Sequence, residues 1–514
     1  MNMFSSYGVS LELFTRMARE VVLNNYTIFK TKFGEAVPCR SAIIFRMKKS
    51  HSPWLYQLHK DRETKTLDKD TEAGVAIVGA GIAGISTAFF VLKNTDKKVV
   101  LLERFKMAHG ATGHNAGQVV SYFERGFASL VDEFGLELAA EGQKAIEDAW
   151  GLLDEMYTEA GLDIPFSRFL GHAGLSSFEQ VLLHLKNNYF RKKAGLNTEQ
   201  MMIAEDADFI SKIPKEYEGL YVLGPQEKIL SMIETHVTDF IAVLSYQKGC
   251  INSALFCQEI LSYLLKKYPD RFAIYEHTPI DKIVLRDNDV LLDAGSSTVT
   301  AQRVILCTNG FESVSIFNKS GLDINTKFHH LIRGTIGYMS GYLEKMNKPP
   351  IAISYLTDPD GSTEDPYFYL TRRPYEYEQD KDFNLISIGG PEAALEDSRL
   401  YSHENDFPEE MIEKIDEFVK RTYDSSELGK SAKSARSDKK IDYVFNWHGL
   451  MGYTKNCVRL IGPEPKNSVL MYNLGCNGVG ILPSIYGGQR IADYLVGANK
   501  LPQKSIFDVP KEYE

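Results

Sequence analysis

The sequence has few cysteines and no excess of positive charge, and each deficit excludes a class of binding site. Six cysteines are scattered among 514 residues, none forms a Cys-x-x-Cys pair, and none combines with histidines at the spacing of metal ligands. Unpaired cysteines in a long chain are typical of a reducing compartment. The formal net charge is −10, whereas nucleic-acid binding needs clustered lysines and arginines. The sequence therefore predicts neither a metal centre nor a nucleic-acid interface.

The chain also lacks the pattern of a signal peptide or a membrane-spanning segment. Charged residues such as Glu12 and Arg16 stand where a signal peptide has its apolar region. The strongest apolar run, residues 75–92, contains glycines in a phosphate-binding pattern, so it is interpreted as a buried strand and helix and not as a membrane span. We expect a cytoplasmic protein with no transmembrane segment.

What the chain does have is the composition of an ordinary globular protein of more than one domain. Hydrophobic residues make up 44% and charged residues 25%, and a domain typically holds roughly 100–200 residues. Apolar periodicity predicts one long helix over residues 128–160 and shorter helices at 255–268 and 409–422. Residues 367–371 and 385–389 have the pattern of antiparallel strands.

The most specific motif is a Gly-x-Gly-x-x-Gly formed by Gly79, Gly81 and Gly84. It follows an apolar strand at residues 75–78 and opens an apolar helix, and Glu103 closes the next strand. In such a βαβ unit the glycines allow a tight turn, a close backbone approach to a pyrophosphate and close helix packing. The helix N-terminus attracts the phosphates, and the acid accepts hydrogen bonds from a ribose. The motif predicts a dinucleotide site.

The loop after Glu103 favours FAD over a nicotinamide cofactor. It contains the small-residue stretch GATGHNAGQ at residues 110–118, which resembles the loop of FAD-dependent oxidoreductases in the D-amino acid oxidase and glycine oxidase superfamily. Similar matches occur at residues 303–310, 447–463 and 475–481, and the resemblance spans residues 52–497. It is strongest to the branch of bacterial gamma-glutamylputrescine oxidases, which commonly has Arg where this chain has His114.

The resemblance implies which residues bind FAD, and it implies two roles for His114. In dimethylglycine and sarcosine dehydrogenases the aligned histidine carries covalent FAD; the role we favour here is a hydrogen bond beside a non-covalently held cofactor. The cofactor residues implied are Gly79, Gly81, Ile82, Ala83, Gly84, Glu103, Arg104, Gly110, Ala111, Thr112, His114, Asn115, Ala116, Gly117, Ile283, Thr308, Asn309, Gly310, Gly475, Asn477, Gly478, Val479, Gly480 and Ile481.

The resemblance also implies an α/β fold with a Rossmann-type FAD-binding domain interleaved with an α+β substrate domain that has a mixed sheet. We predict an N-terminal extension at 1–71, a discontinuous FAD-binding domain at 72–125, 245–315 and 445–500, and a substrate domain at 126–244 and 316–444.

The implied reaction is oxidation of the C–N bond of a small amine or amino acid. Hydride passes to flavin N5, and the imine formed is hydrolysed by water; oxygen or another acceptor then takes the electrons. Arg373 matches the position of a substrate-carboxylate arginine, with Arg372 beside it as an alternative. Tyr367 and Trp447 are candidates for an aromatic cage around a cationic amine.

Two other functions remain open from the residues alone. One is an NAD(P)-dependent oxidoreductase with a Rossmann unit, which leaves the segments at 110–118 and 475–480 unexplained. The other is a nucleotide-binding protein without turnover. Flavin absorbance separates the first alternative from a flavoenzyme, and bleaching by an amine separates the second.

Overall fold

The computed structural model describes residues 48–60, 62–311, 314–321, 323–324, 332–357, 368–422, 441–497 and 504–510. The strands in chain order are β1 (Lys48–Lys49), β2 (Thr71–Val78), β3 (Val99–Leu102), β4 (Gln118–Val120), β5 (Phe166–Leu175), β6 (Gln200–Ala204), β7 (Val222–Gly224), β8 (Ala242–Ile251), β9 (Phe272–Tyr275), β10 (Lys282–Leu285), β11 (Val290–Asp293), β12 (Thr298–Leu306), β13 (Ser315–Asn318), β14 (Arg333–Lys345), β15 (Ile351–Leu356), β16 (Phe368–Tyr377), β17 (Asp380–Leu395), β18 (Asp406–Phe407), β19 (Phe445–Tyr453), β20 (Leu460–Pro463) and β21 (Leu470–Leu474).

The α-helices of the described residues lie between some of these strands and after the last strand. They are α1 (Pro53–Tyr56), α2 (Ile82–Asn94), α3 (Phe127–Phe134), α4 (Leu136–Ala160), α5 (Phe178–Lys193), α6 (Gln226–Met232), α7 (Ser253–Lys267), α8 (Glu409–Thr422) and α9 (Ile481–Val496).

The prediction of one helix over residues 128–160 is wrong in one respect. The segment forms two helices, α3 and α4, because Gly135 between them adopts a φ of +81°. That left-handed backbone conformation cannot continue a right-handed helix, and glycine adopts it at little cost. The predicted helix at 409–422 is confirmed as α8, and the predicted pair of antiparallel strands is confirmed as β16 and β17.

One mixed sheet of nine strands has a parallel centre in the order β12, β2, β3, β9. The strands are apolar throughout the interior, as buried parallel strands are, and β3 is buried at every residue. Because β2 pairs in parallel with both β3 and β12, the carboxyl ends at Val78, Leu102 and Leu306 meet at one edge. Strand β21 extends the parallel region beyond β12.

Helix α2 follows β2, and helix α9 packs against α2. A Cβ on Gly488 of α9 would lie 2.7 Å from the carbonyl carbon of Ser86 in α2. The two helix backbones therefore approach so closely that only glycine fits at this position. This contact joins the C-terminal helix to the first helix of the nucleotide-binding unit.

The second mixed sheet has ten strands in the order β19, β14, β17, β16, β15, β5, β8, β6, β7, with β4 paired to β8. Helix α8 covers one face with Ile415 and Phe418, which are buried. A bulge interrupts the register of β14 on β17 between Gly337 and Met339. Two mixed sheets with packed helices confirm the predicted α/β fold class with its mixed-sheet second domain.

The segment before the first sheet is part of the core and not a separate tail. Ser52 caps α1 through its side chain, and Trp54 in α1 is fully buried. The Tyr375 hydroxyl of β16 donates to the Pro53 carbonyl at 2.7 Å. Residues 52–57, which lie within the predicted N-terminal extension, therefore pack against elements of the ten-stranded sheet.

The Gly84→Ala substitution is expected to destabilise the protein strongly. A Cβ on Gly84 would lie 1.8 Å from the carbonyl oxygen of Gly79, so the turn or helix α2 would have to move. Forced overpacking of this kind costs on the order of 3 kcal/mol. The measurement is the free energy of unfolding by denaturant.

Gly151→Ala is the matched control, because Gly151 lies in α4 and a Cβ there meets no atom within 4 Å. Alanine in an exposed helix interior is expected to stabilise by about 0.5–1 kcal/mol. Equal stability of the two variants would contradict the close approach at Gly84.

Candidate functional site

The carboxyl ends of the parallel strands open into a cavity of about 430 Å³. Val78, Leu102 and Cys307 line it where β2, β3 and β12 end, and Met339 and Tyr369 line it from the ten-stranded sheet. Ligands of open α/β sheets bind at the carboxyl ends of the strands. The cavity therefore begins at a typical dinucleotide position and continues to the second sheet.

The glycine turn forms the first wall of the cavity. Gly79 has a φ of +102°, and a Cβ on it would lie 2.7 Å from the Cys307 carbonyl oxygen, so glycine is required. Gly81 precedes α2 and has no side chain to cover the helix N-terminus. Gly81, Ile82 and Ala83 line the cavity. The partial positive charge of the helix N-terminus thus faces the space where a pyrophosphate would bind.

Glu103 stands at the same edge with its carboxylate already oriented. Its Oε2 accepts the Ala80 N–H at 2.8 Å, and its Oε1 accepts the Phe105 N–H at 2.9 Å. Burial raises the pKa of Glu103, while these two N–H donors oppose the rise because they favour the carboxylate. The remaining lone pairs are acceptors of the kind that ribose hydroxyls need.

The loop at residues 110–117 is held in place by Asn115. Its Nδ2 donates to the Thr112 carbonyl at 2.7 Å and lies 2.8 Å from the Ser253 hydroxyl, and its Oδ1 accepts the Gly117 N–H at 2.7 Å. The Thr112 hydroxyl accepts the Ile82 N–H at 2.9 Å. These hydrogen bonds connect the loop to α7 and to the start of α2.

Two indole groups hold the same loop from the opposite side. The carbonyl oxygen of Asn115 accepts the Trp54 Nε1–H at 2.6 Å and the Trp447 Nε1–H at 3.1 Å. Both tryptophans are fully buried. The loop is therefore fixed to the segment before the first sheet and to strand β19 at a single carbonyl group.

The C-terminal glycine turn closes the cavity opposite the loop. Gly478 has a φ of +74°, which favours glycine. The Asn309 side chain accepts the Cys476 N–H at 2.8 Å, and the Asn477 side chain accepts the Thr454 N–H at 2.8 Å. Helix α9 begins directly after this turn, so its N-terminus also faces the cavity.

The structure brings most of the predicted cofactor residues to this cavity. Those that line it are Gly79, Gly81, Ile82, Ala83, Glu103, Arg104, Gly110, Ala111, Thr112, His114, Asn115, Ala116, Gly117, Thr308, Asn309, Gly478, Val479, Gly480 and Ile481. Gly84, Ile283, Gly310, Gly475 and Asn477 do not line it. Ile283 is buried in the core beside β11, and Asn477 acts through its hydrogen bond to Thr454.

His114 is buried beside the cavity in its neutral form. Its Nδ1 lies 2.9 Å from the Gly110 carbonyl oxygen, and its ring centroid lies 5.5 Å from that of His403. Burial lowers the pKa of His114 to about 3, despite the hydrogen bond to Gly110. A neutral imidazole suits either role predicted for His114, so the mode of FAD attachment stays a prediction.

The predicted substrate arginines lie away from the cavity lining. Arg372 is buried and donates from Nη1 and Nη2 to the carboxylate of Glu234 at 2.8 and 2.7 Å. Arg373 is also buried, with its guanidinium 5.0 Å from the centre of the Trp54 ring. The two side chains point to opposite faces of β16, as adjacent strand residues do.

Of the two residues predicted to form an aromatic cage, the structure describes Trp447. Trp447 lies in the core beneath the loop and does not line the cavity. Tyr367 lies outside the described residues. Their roles in amine binding therefore remain predictions without a structural basis in the cavity described here.

Several cavity residues were missed by the sequence-based prediction. They include Tyr122, Glu124, Thr278, Ile280, Tyr369, Glu392, Tyr401, His403, Tyr453 and Arg459. A period of two along β16 puts Tyr369 on the same face as Arg373, which offered one signal for Tyr369. Glu392 offered no local signal, because its approach to the cavity depends on the pairing of β17 with β14.

No described helix is long and apolar enough to cross a membrane. No group of three or more His, Cys, Asp or Glu side chains among these residues is arranged to hold a metal ion.

Together, the βαβ unit, the glycine turn and the acid at the strand ends define a dinucleotide-binding protein. The family model described as DAO, FAD dependent oxidoreductase, matches residues 74–494. The match covers most of the chain, so the chain belongs to this family of FAD-dependent oxidoreductases.

Curated relatives match over part of their length. The chain is 34% identical over 294 residues to the putative Rieske 2Fe-2S iron-sulfur protein YhfW of Bacillus subtilis, covering 56% of this chain and 50% of that protein. It is 22% identical over 256 residues to the probable oxidoreductase OrdL of Haemophilus influenzae, covering 50% of this chain and 53% of that protein. The chain thus spans about half the length of the curated relatives it matches.

Solved structures share the fold at low sequence identity. Glycine oxidase from Geobacillus kaustophilus has a TM-score of 0.60 at 16% identity, covering 86% of this chain and 100% of that chain. L-proline dehydrogenase from P. horikoshii has a TM-score of 0.58 at 13% identity, covering 86% and 97%. The likeness shows a shared fold, the family rests on the family match, and the gamma-glutamylputrescine oxidase branch stays a prediction.

The residues present fit FAD. A Cβ at Gly81 would lie 2.9 Å from the Thr112 hydroxyl, so the absence of a side chain there leaves room for a pyrophosphate, and the pre-oriented Glu103 suits a ribose. The cavity extends from this end to the C-terminal turn and the second sheet, which gives room for an extended cofactor.

The Arg372→Met variant tests whether this arginine is structural. It is expected to lower the free energy of unfolding by about 3 kcal/mol, because Glu234 keeps a partly buried charge without its main partner. Substrate binding is expected to stay unchanged in the folded variant. Denaturant unfolding measures the first effect, and steady-state KM measures the second.

The double variant R372M/E234M is the control for this pair. It is expected to recover part of the lost stability, since neither charge is then left alone. A single variant that keeps wild-type stability but loses substrate binding would support the predicted carboxylate-binding role instead.

The stability of the protein is expected to fall with pH through His114. The pKa of His114 is lowered from 6.5 to about 3 in the fold, so the unfolded chain takes up a proton below pH 6.5 while the folded one does not. The stability contributed by the neutral ring is complete above pH 6.5, and about 2 kcal/mol of it is lost between pH 7 and pH 5.

The measurement compares unfolding of the wild type and His114→Asn at both pH values, with FAD saturating. The wild type is expected to lose about 2 kcal/mol more than the variant, since other histidines contribute equally to both. Identical losses would show that His114 can be protonated in the folded protein.

Proposed function

We propose that the enzyme oxidises the C–N bond of a small amine or amino acid and passes the electrons to oxygen or another acceptor. FAD, when bound, supplies the electron-accepting ring, and the imine product is hydrolysed by water. The observation that carries this proposal is the continuity of one cavity from the glycine turn to the face of the ten-stranded sheet.

Two sets of residues support a cavity with one part for the dinucleotide and another part for the substrate. Backbone N–H groups at Gly81 and Ile82 and the carboxylate of Glu103 suit the dinucleotide part. Tyr369, Met339 and Ser354 project from the second sheet into the remaining space. A substrate bound there would lie between the sheet and the C-terminal turn at Gly478.

The contribution of the chain to the reaction is positioning and electrostatics. The N-terminus of α9 and the N–H groups of the turn at Gly478–Ile481 would stabilise negative charge that develops on the electron-accepting ring. Tyr369 and Tyr453 would exclude water from the reacting carbon. Removal of a hydride from carbon requires the adjacent nitrogen to be neutral, so an ammonium substrate must first lose a proton.

Solved relatives support the reaction class and leave the substrate open. The structural neighbours include a glycine oxidase, an L-proline dehydrogenase and an L-amino acid deaminase. They share with this chain the fold alone. We also propose that residues 72–125, 245–315 and 445–500 form the FAD-binding domain. Strands β4, β8 and β19 from these segments belong to the ten-stranded sheet.

Purified protein is expected to show flavin absorbance and to bleach when an amine or amino acid substrate is added without oxygen. The matched control is Gly81→Val, since even a Cβ at Gly81 would lie 2.9 Å from the Thr112 hydroxyl and the larger side chain would obstruct the phosphate position. This variant is expected to lose FAD and therefore the bleaching. Flavin that stays oxidised with every amine and amino acid tested would contradict the proposed reaction.

A further inference from the structure

A buried lysine lies directly behind the cavity wall. Lys248 of β8 is fully buried. Its side-chain nitrogen lies 3.2 Å from the Ser354 hydroxyl of β15 and 3.5 Å from the side-chain oxygen of Gln118 in β4. Ser354 and Gln118 both line the cavity, whereas Lys248 does not. The lysine therefore reaches the cavity through two polar side chains.

The path of the lysine side chain is fixed by a glycine. Strand β5 lies between β8 and β15 in the ten-stranded sheet, so Lys248 must cross β5 to reach Ser354. It crosses at Gly171, where a Cβ would lie 2.5 Å from Lys248 Cδ and 2.9 Å from the Ala352 carbonyl oxygen. Because any side chain at this position would collide with the lysine, the absence of one lets the lysine nitrogen reach the hydroxyl.

Two tyrosines connect the same hydroxyl to the cavity by a second route. The Tyr246 side chain forms hydrogen bonds with Ser354 and with Tyr122, and Tyr122 lines the cavity. The Lys248 nitrogen lies 5.0 Å from the centre of the Tyr246 ring. Ser354 is thus the hydroxyl that contacts the buried amine and also faces the space proposed for the substrate.

The surroundings of Lys248 favour its neutral form. Burial lowers the pKa of Lys248 to about 7, although the charges of Glu124 and Glu199 oppose the fall. An amine that titrates near neutral pH can both take up and release a proton. The titratable groups around Lys248 and its hydrogen-bonded neighbours are Tyr122, Glu124, His172, Glu199 and Tyr246.

We infer that Lys248 accepts, through the Ser354 hydroxyl, the proton that an ammonium substrate loses before its carbon is oxidised. The inference rests on the proposed function for the oxidation itself. An N–H bond of the substrate breaks and its proton passes to Ser354 Oγ, while the Ser354 hydroxyl proton passes to Lys248 Nζ. The substrate nitrogen becomes neutral, Lys248 becomes an ammonium group, and nothing is oxidised in this step.

The test measures the rate of flavin bleaching when FAD-loaded enzyme is mixed with substrate in the absence of oxygen, from about pH 6 to about pH 10. The probes are glycine, L-proline and benzylamine. In the wild type the rate is expected to rise as the pH passes through about 7 and then to level off, because Lys248 must be neutral to accept the proton.

The Lys248→Met variant removes the proton acceptor and keeps a side chain of similar length. Its bleaching rate at pH 7 is expected to be about a hundredfold below that of the wild type. The rate should recover near pH 10, where the free substrate loses its own proton. Ser354→Ala is expected to show the same profile. A loss in Lys248→Met that persists at high pH would indicate structural damage and would overturn the inference.

Two further variants serve as comparisons. Lys144→Met is the matched control, since Lys144 lies exposed on α4 and pairs with Asp148, and it is expected to keep the wild-type profile. Desolvation at the cavity raises the pKa of Glu392 to about 7, which makes Glu392 the rival proton acceptor. Glu392→Gln is expected to keep the rise through pH 7, whatever its effect on the rate. Loss of that rise in Glu392→Gln, with the rise kept in Lys248→Met, would assign the proton to Glu392 instead.

Unfolding by denaturant tests the protonation of Lys248 without any substrate. The unfolded chain keeps the lysine proton up to about pH 10.5, whereas the folded protein releases it near pH 7. The wild type is therefore expected to gain stability relative to Lys248→Met between about pH 7 and pH 10, by up to about tenfold in the folded-to-unfolded ratio per pH unit. Parallel curves for the two proteins would show that Lys248 stays charged and would overturn the inference.

The outcomes distinguish this inference from the proposed function. Bleaching with the same pH profile in the wild type and Lys248→Met would leave the proposed oxidation in place and overturn the inference. Flavin that stays oxidised with all three probes at every pH would contradict oxidation of these compounds, and the inference would fall with it even if Lys248 proved neutral in the unfolding measurement.

Discussion

The position of the loop at residues 110–117, which we call the cofactor loop, depends on the carbonyl oxygen of Asn115. It accepts one hydrogen bond from Trp54, which precedes the first sheet, and one from Trp447 in β19. The side chain of the same residue holds the loop to itself and to Ser253 in α7. Because both indoles are fully buried, water cannot substitute for them, so the loop, the two sheets and α7 are fixed relative to one another at this position.

The two ends of the cavity are lined by different chemical groups. At one end, backbone N–H groups and a helix N-terminus favour the anionic part of a dinucleotide. At the other, the carboxylates of Glu124 and Glu392 stand among neutral phenols. The fold is shared with a glycine oxidase and an L-proline dehydrogenase.

The parts of the structure predicted from sequence are those set by short-range rules. The turn at Gly79–Gly84 and the acid Glu103 follow from backbone geometry within one βαβ unit, and α8 follows from its apolar period. The face of β16 that reaches the cavity depends on partners far along the chain. For this reason Arg372 and Arg373, chosen by local pattern, pack elsewhere, whereas Glu392 reaches the cavity through its pairing with Gly337. The break at Gly135 was missed because the apolar period continues across it.

The burial of Trp54 has a practical consequence for shortened forms of the protein. The family match begins at residue 74, which suggests that residue as a starting point for a recombinant fragment. Such a fragment would leave a tryptophan-sized void, a defect worth roughly 3–5 kcal/mol. It would also remove the indole at 2.6 Å from the Asn115 carbonyl and the β1 pairing to β18. A shortened protein that keeps the cofactor loop in place should therefore begin ahead of residue 48.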